Sequence, residues 1–159
     1  MGRSNDSFTV SFLLRLLFFL IALFWSTGIA SPCLDFNIFH LAYPYLKLGY
    51  STVCHQNVNK SFVCGNSTFL VCARCSGIYF SVLLTSFVIL FIKAKIRIKT
   101  GYLILFSIPM LADVIFYSLG FYNYSKIVAA LTGFLFGSVV FLYILSAIEN
   151  SFTQTKSNK

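Results

Sequence analysis

Cys72 and Cys75 are separated by two residues. At that spacing two sulfurs can meet on one turn of chain, either to chelate one metal ion or to close a disulfide. The other three cysteines (33, 54 and 64) lie upstream, so all five fall between positions 33 and 75 of a 159-residue chain. Cys54 is followed directly by His55. A tetrahedral zinc site needs four soft or borderline ligands; Cys72 and Cys75 supply two, and Cys54, His55 and Cys64 are the candidates for the others. Adjacent residues such as Cys54 and His55 usually point apart, so both binding one ion requires an unusual local turn. Cys64 is a further ligand candidate, and Cys33 stands apart from the group.

The competing chemistry is thiol–disulfide exchange between Cys72 and Cys75. Cys72-Ala-Arg74-Cys75 opens a long apolar run. A helix beginning there would direct free N–H groups and partial positive charge at the sulfurs, which favours thiolate over thiol, and Arg74 acts in the same direction. Both readings stay open on the sequence. His40 reads as an interfacial histidine rather than a ligand.

The elements that must hold these residues are membrane helices. Hydrophobic residues make up 58% of the chain and charged residues 10%, against about 25% charged in an average protein. Mean hydropathy is +0.83. So few charges cannot cover the surface of a soluble domain this small, which excludes a soluble globular fold and a nucleic-acid-binding domain together. The net charge of +8 is better explained by a membrane surface, because the basic residues flank apolar runs. Four stretches are long enough to cross a bilayer, which takes about 20 helical residues. They are 9–30, 73–92, 101–120 and 127–148. None shows the alternation of a membrane barrel strand. The expected fold is therefore an all-α, four-helix transmembrane bundle forming one membrane domain, with residues 31–72 as an outward-facing Cys/His-rich segment.

Lys93, Lys95, Arg97 and Lys99 crowd the linker after the second stretch. Basic loops stay cytoplasmic, which places both termini inside an inner (cytoplasmic) membrane and residues 31–72 outside. Arg15 then lies near the inner end of the first stretch, positioned to snorkel to the interface. The first stretch also fits a secretory signal cleaved after Ala30, and the sequence leaves retention and cleavage both open. Leu34 to Tyr50 reads as an interfacial or partly re-entrant segment, with Pro44 interrupting any helix.

Asp113 is the one acid inside the four stretches so bounded. An ionisable group there is costly and reads as functional. It lies about 10 Å below the outer end of its helix, counted at 1.5 Å per residue. Thr132 in the next stretch lies at about 8 Å on the same count. Both therefore share the outer half of the bundle with the cysteines, and Arg74 and Lys126 cap that half. Ser125, Ala129, Gly133 and Gly137 recur every four residues and make a small-residue face, better suited to packing within the chain than to a dimer, although an oligomer stays open. Pro109 is positioned to kink the helix just below Asp113.

Cys54-His55-Gln56, Lys60-Ser61-Phe62 and Cys72-x-Arg74-Cys75-x-Gly77-Ile78-Tyr79 together resemble a family of small prokaryotic membrane proteins that carries a domain-of-unknown-function name. The resemblance runs from about Cys54 to Gly137. It implies that Cys54, His55, Cys72, Arg74, Cys75, Gly77 and Tyr79 are signature positions, with Pro109 and Asp113 matching a Pro-x-x-x-Asp element and Thr132-Gly133 a later Thr-Gly. Val114, and Phe116 or Tyr117, stand where that family usually has Gly and Gln. Cys64 is outside the pattern. The family brings no established activity.

These observations lead to one expectation with two rivals. The leading one is a zinc site made by Cys54, His55, Cys72 and Cys75 at the outer face. Asp113 or His55 would move a proton in metal-assisted hydrolysis or transfer on a lipid-borne substrate, and Arg74 or Lys126 would hold an anionic head group. The rivals are a Cys72/Cys75 redox protein and a transporter with Asp113 as its coupling residue.

Overall fold

The computed structural model describes residues 3–34, 37–65, 67–92 and 98–157, and gives only the backbone of 3–9, 37–42 and 152–157. Lys93, Lys95, Arg97 and Lys159, which carry much of the orientation argument, lie outside the described residues, as do the side chains of Arg3, His40 and Lys156.

Among the described residues five α-helices and one hairpin follow one another: α1 (Arg3–Ala30), α2 (Asn37–Ser51), β1 (Ser61–Cys64), β2 (Ser67–Cys72), α3 (Ala73–Phe91), α4 (Thr100–Ser118) and α5 (Lys126–Ser157). Among the described residues four segments are long and apolar enough to cross a membrane: Val10–Cys33, Ala73–Phe91, Thr100–Ser118 and Lys126–Ser151. The four-helix transmembrane expectation holds, with bounds shifted by a few residues. In lipid every backbone polar group must be bonded internally, and long unbroken helices satisfy that.

The central pair is α3 and α5; α1 packs on α3, and α4 packs on α5. The small-residue face of α5 makes the central contact. A Cβ on Gly133 would lie 2.4 Å from the Arg74 carbonyl oxygen, and one on Gly137 would lie 2.3 Å from Ser81 Oγ and 2.8 Å from the Ile78 carbonyl oxygen. Gly77 answers from α3, where a Cβ would lie 2.1 Å from the Ala130 carbonyl oxygen. These glycines let the two backbones touch, and the approach fixes the height of the first turn of α3 against α5.

Several expectations change. Pro44 does not interrupt a helix; α2 runs through it. Pro44 is the eighth of the 15 residues of α2 and forgoes one N–H of the ladder, yet the helix continues on both sides of it. Helix α4 also continues through Pro109, which a kink at that residue allows. Gly28, one of the small residues that suggested signal cleavage, makes room for Tyr50: a Cβ there would meet the Tyr50 hydroxyl at 2.3 Å. That hydroxyl donates to the Trp25 carbonyl at 2.7 Å. Arg15 does not snorkel. It is 7% exposed, and its Nε donates to Glu149 Oε1 at 2.7 Å. Its Nη1 donates to the carbonyls of Ile89 and Ile92 at the end of α3. Because the span on α5 extends to Ser151, Glu149 lies within it, and Asp113 is not the one acid inside the spans.

Candidate metal centre

Three separate elements deliver the three free cysteines. Helix α2 ends in a turn in which the N–H of Cys54 donates to the Tyr50 carbonyl at 3.0 Å. Gln56 then takes a positive φ of 48°, uncommon for a residue with a side chain. Its side-chain amide donates to the Lys47 carbonyl at 2.8 Å. This turn sends successive residues in opposite directions, leaving Cys54 buried and His55 exposed. Cys72 ends β2 and caps the N-terminus of α3. Cys75 sits in the first turn of that helix.

The three sulfurs lie within 4.8 Å of one another. The backbone N–H of Cys72 donates to Cys54 Sγ at 3.2 Å. The pKa of Cys72 is lowered to about 5. The main cause is a hydrogen bond from Cys75; smaller contributions come from the Cys75 backbone, the Cys54 side chain and the Arg74 backbone, and together these outweigh burial. The lowering favours the Cys72 thiolate, the form that binds metal and attacks disulfides. A wall of Ile29, Tyr50, Leu70, Val71, Trp25 and Tyr79 packs around the group.

The remaining two cysteines are bonded to each other. Cys33 and Cys64 form a disulfide with their Cα atoms 5.8 Å apart. Cys33 is therefore not an isolated residue, and Cys64 is withdrawn from the ligand candidates. The single turn Ser31–Cys33 after α1 lies against β2, which brings Cys33 to the hairpin. Both strands are short, pair antiparallel, and match Ser61 with Cys72 and Cys64 with Ser67. The disulfide thus holds the tip of the hairpin while Cys72 occupies its base.

Asp113 is 6% exposed. Its carboxylate accepts from Arg74 Nη2 and from the Tyr122 hydroxyl. Donation to the carboxylate holds the Tyr122 phenol above its ordinary pKa. Arg74 is the residue between the two α3 cysteines, so α4 is tied to the turn that presents the sulfurs. Among the described residues Lys126 makes no polar contact with Asp113, and Thr132 Oγ1 donates to the Ala129 carbonyl at 3.2 Å rather than to Asp113. Lys60 was not a candidate on the sequence. Its Nζ lies 4.3 Å from the ring centre of Tyr117 and 5.2 Å from that of Tyr124, joining the start of the hairpin to α4 and to the loop before α5. Nothing in the spacing of Lys60 signals this, because the contact depends on a loop closing over the helix ends. Tyr122 and Tyr124 were equally unmarked.

Residues 54–143 match the family described as "Predicted membrane protein (DUF2085)". The chain belongs to that family. The match begins at Cys54 and takes in the three clustered cysteines, Arg74 and Asp113, but neither Cys33 nor α1. An uncharacterized protein of Methanocaldococcus jannaschii, MJ1492, is 37% identical over 99 residues, 60% of this chain. The chain spans 64% of that relative's length. No solved structure matches it. The DUF2085 match therefore covers the whole thiol cluster, whereas the disulfide ties that region to a helix lying before it.

Proposed function

We propose that this membrane protein holds one zinc ion through Cys54, Cys72 and Cys75, with the fourth position left to an oxygen ligand. The convergence of three free sulfurs from three elements carries this reading. Zinc–sulfur bonds of about 2.3 Å put the sulfurs of a tetrahedral site about 3.8 Å apart, and sulfurs already within 4.8 Å reach that spacing by small side-chain rotations. Three sulfur donors suit zinc better than magnesium or calcium. The backbone N–H of Cys72 and the first turn of α3 offset thiolate charge. His55, exposed beside Cys54, is left out of the donor set and is free to move a proton.

A bound zinc ion would act as a Lewis acid and lower the pKa of a water in that fourth position. Asp113 supports this centre as a positioning residue, because its carboxylate is already engaged by Arg74 and Tyr122. This fits metal-assisted hydrolysis or transfer on a substrate that arrives through the bilayer. The free CxxC pair at a helix N-terminus favours one rival, reversible oxidation of Cys72 and Cys75.

Metal analysis of the full chain, purified in mild detergent without chelator, separates the two. We expect about one zinc per chain and three free thiols masked until the metal is removed. Changing Cys54, Cys72 or Cys75 to Ser should remove most of the zinc, whereas His55→Ala should not. Metal-free protein with a reducible Cys72–Cys75 bond would support the redox reading instead.

A further inference from the structure

A cavity of about 440 Å³ lies between α1, α3 and α5. Phe18, Ala22 and Trp25 line it from α1, Tyr79 and Val82 from α3, and Val140 from α5. No charged residue lines it. Phe18 to Trp25 is seven residues, so the slot runs about 10 Å along the helices. Ile21 and Ile144 stand on its rim and are 54% and 47% exposed. Both belong to membrane-spanning segments, so the slot faces bilayer hydrocarbon, which is its source of ligand.

The slot comes within one helical turn of the thiol cluster, because Tyr79 lines it and Cys75 lies four residues earlier on α3. Cys75, Tyr79 and Val82 are spaced i, i+4, i+7 and share one face of α3. Trp25 and Tyr79 line the slot and also pack against the buried core that contains Cys54, on which Cys72 and Cys75 pack too. A hydrocarbon chain lying in the slot would therefore present its head at the cysteines.

Charge selects the head. On the zinc reading, which this argument rests on, three thiolates and one Zn²⁺ sum to a net negative centre. Arg74, the cation between the ligands, is already paired with Asp113. A phosphate head would meet like charge in a low-dielectric site. We infer that the slot takes the single hydrocarbon chain of a lipid whose head is a neutral oxygen group, an alcohol, ester or aldehyde, placed at the zinc site. This replaces the anionic head group suggested by Arg74 and Lys126 in the sequence.

The test is photolabelling of the full chain in lipid nanodiscs with diazirine-tagged dodecanol and with the same chain as its phosphate monoester, each site mapped by mass spectrometry and zinc counted in the same sample. The alcohol should label Trp25, Tyr79 or Val140 saturably. The phosphate should label them about tenfold less or weaker, the equivalent of roughly 1.4 kcal/mol. Ala22→Phe and, independently, Val140→Phe fill the slot and should cut labelling by a similar factor while zinc stays bound; either variant that inserts and retains zinc suffices. Labelling spread evenly over the outward residues of α4, such as Ile108 and Leu111, or unchanged by the filling variants, overturns the slot. Equal labelling by the two heads in zinc-bearing protein overturns the head-group assignment alone. Equal saturable labelling in protein without zinc overturns that assignment and the zinc reading together.

Discussion

The bundle carries an arginine–carboxylate pair at each end, one buried and one part-buried, and the two differ in what surrounds them. At the hairpin end Arg74 meets Asp113, which also binds Tyr122, and Arg74 lies in the sequence between two of the three thiols. At the other end Arg15 meets Glu149, and its remaining donors go to the last carbonyls of α3. Phe18, Phe141 and Leu145 pack nearby. Helix C-terminal carbonyls have no partner of their own within the helix, and a guanidinium satisfies them well. The Arg15 pair thus closes α1, α3 and α5 at one end, whereas the Arg74 pair holds the turn on which two candidate ligands sit. An ionisable residue inside a span therefore does not by itself mark chemistry. The nucleophiles and ligands around it decide, and only the hairpin end has them among the described residues.

The largest expected effect is at the end without thiols. Arg15→Ala leaves Glu149 buried and breaks the link to α3, at a cost of about 3–5 kcal/mol. Thermal unfolding in detergent should show a large fall in Tm, with zinc per folded chain unchanged. Loss of zinc with little change in Tm would reverse the roles assigned to the two ends. Next comes Cys33→Ser. It opens a disulfide between residues 31 apart, a change typically worth about 2–4 kcal/mol. Zinc should remain, because Cys33 is not a ligand, but the freed hairpin should exchange amide hydrogens faster over β1 and β2. Smaller again is Asp113→Asn. Arg74 is 19% exposed at its side chain, so water and the neutral amide partly replace the lost charge, and we expect about 1–3 kcal/mol. Zinc should stay bound while function in a complementation assay is lost; wild-type behaviour there would reduce Asp113 to a packing residue.

Much of this was legible in the sequence, because bilayer spans are set by length and apolarity alone. Cys72 and Cys75 were readable as a pair for a similar reason: their spacing is local. Cys54 could be suspected but not placed, since its approach depends on the Gln56 turn. The opposite directions of Cys54 and His55 follow from that same turn. The Cys33–Cys64 bond was hidden because it joins a helix end to a hairpin, and the strands are too short to show an alternating pattern. Glu149 was missed because α5 remains helical beyond its uncharged stretch, so the acid fell just outside an expected boundary. Its partner Arg15 looked like a snorkelling residue because the sequence does not show that α3 ends beside it.

X-ray absorption at the zinc edge on the purified full chain tests the central claim most directly. Three sulfurs at about 2.3 Å and one lighter oxygen neighbour at about 2.0–2.2 Å are predicted. A first shell of nitrogen and oxygen alone, or protein without zinc whose Cys72 and Cys75 are joined, would contradict it.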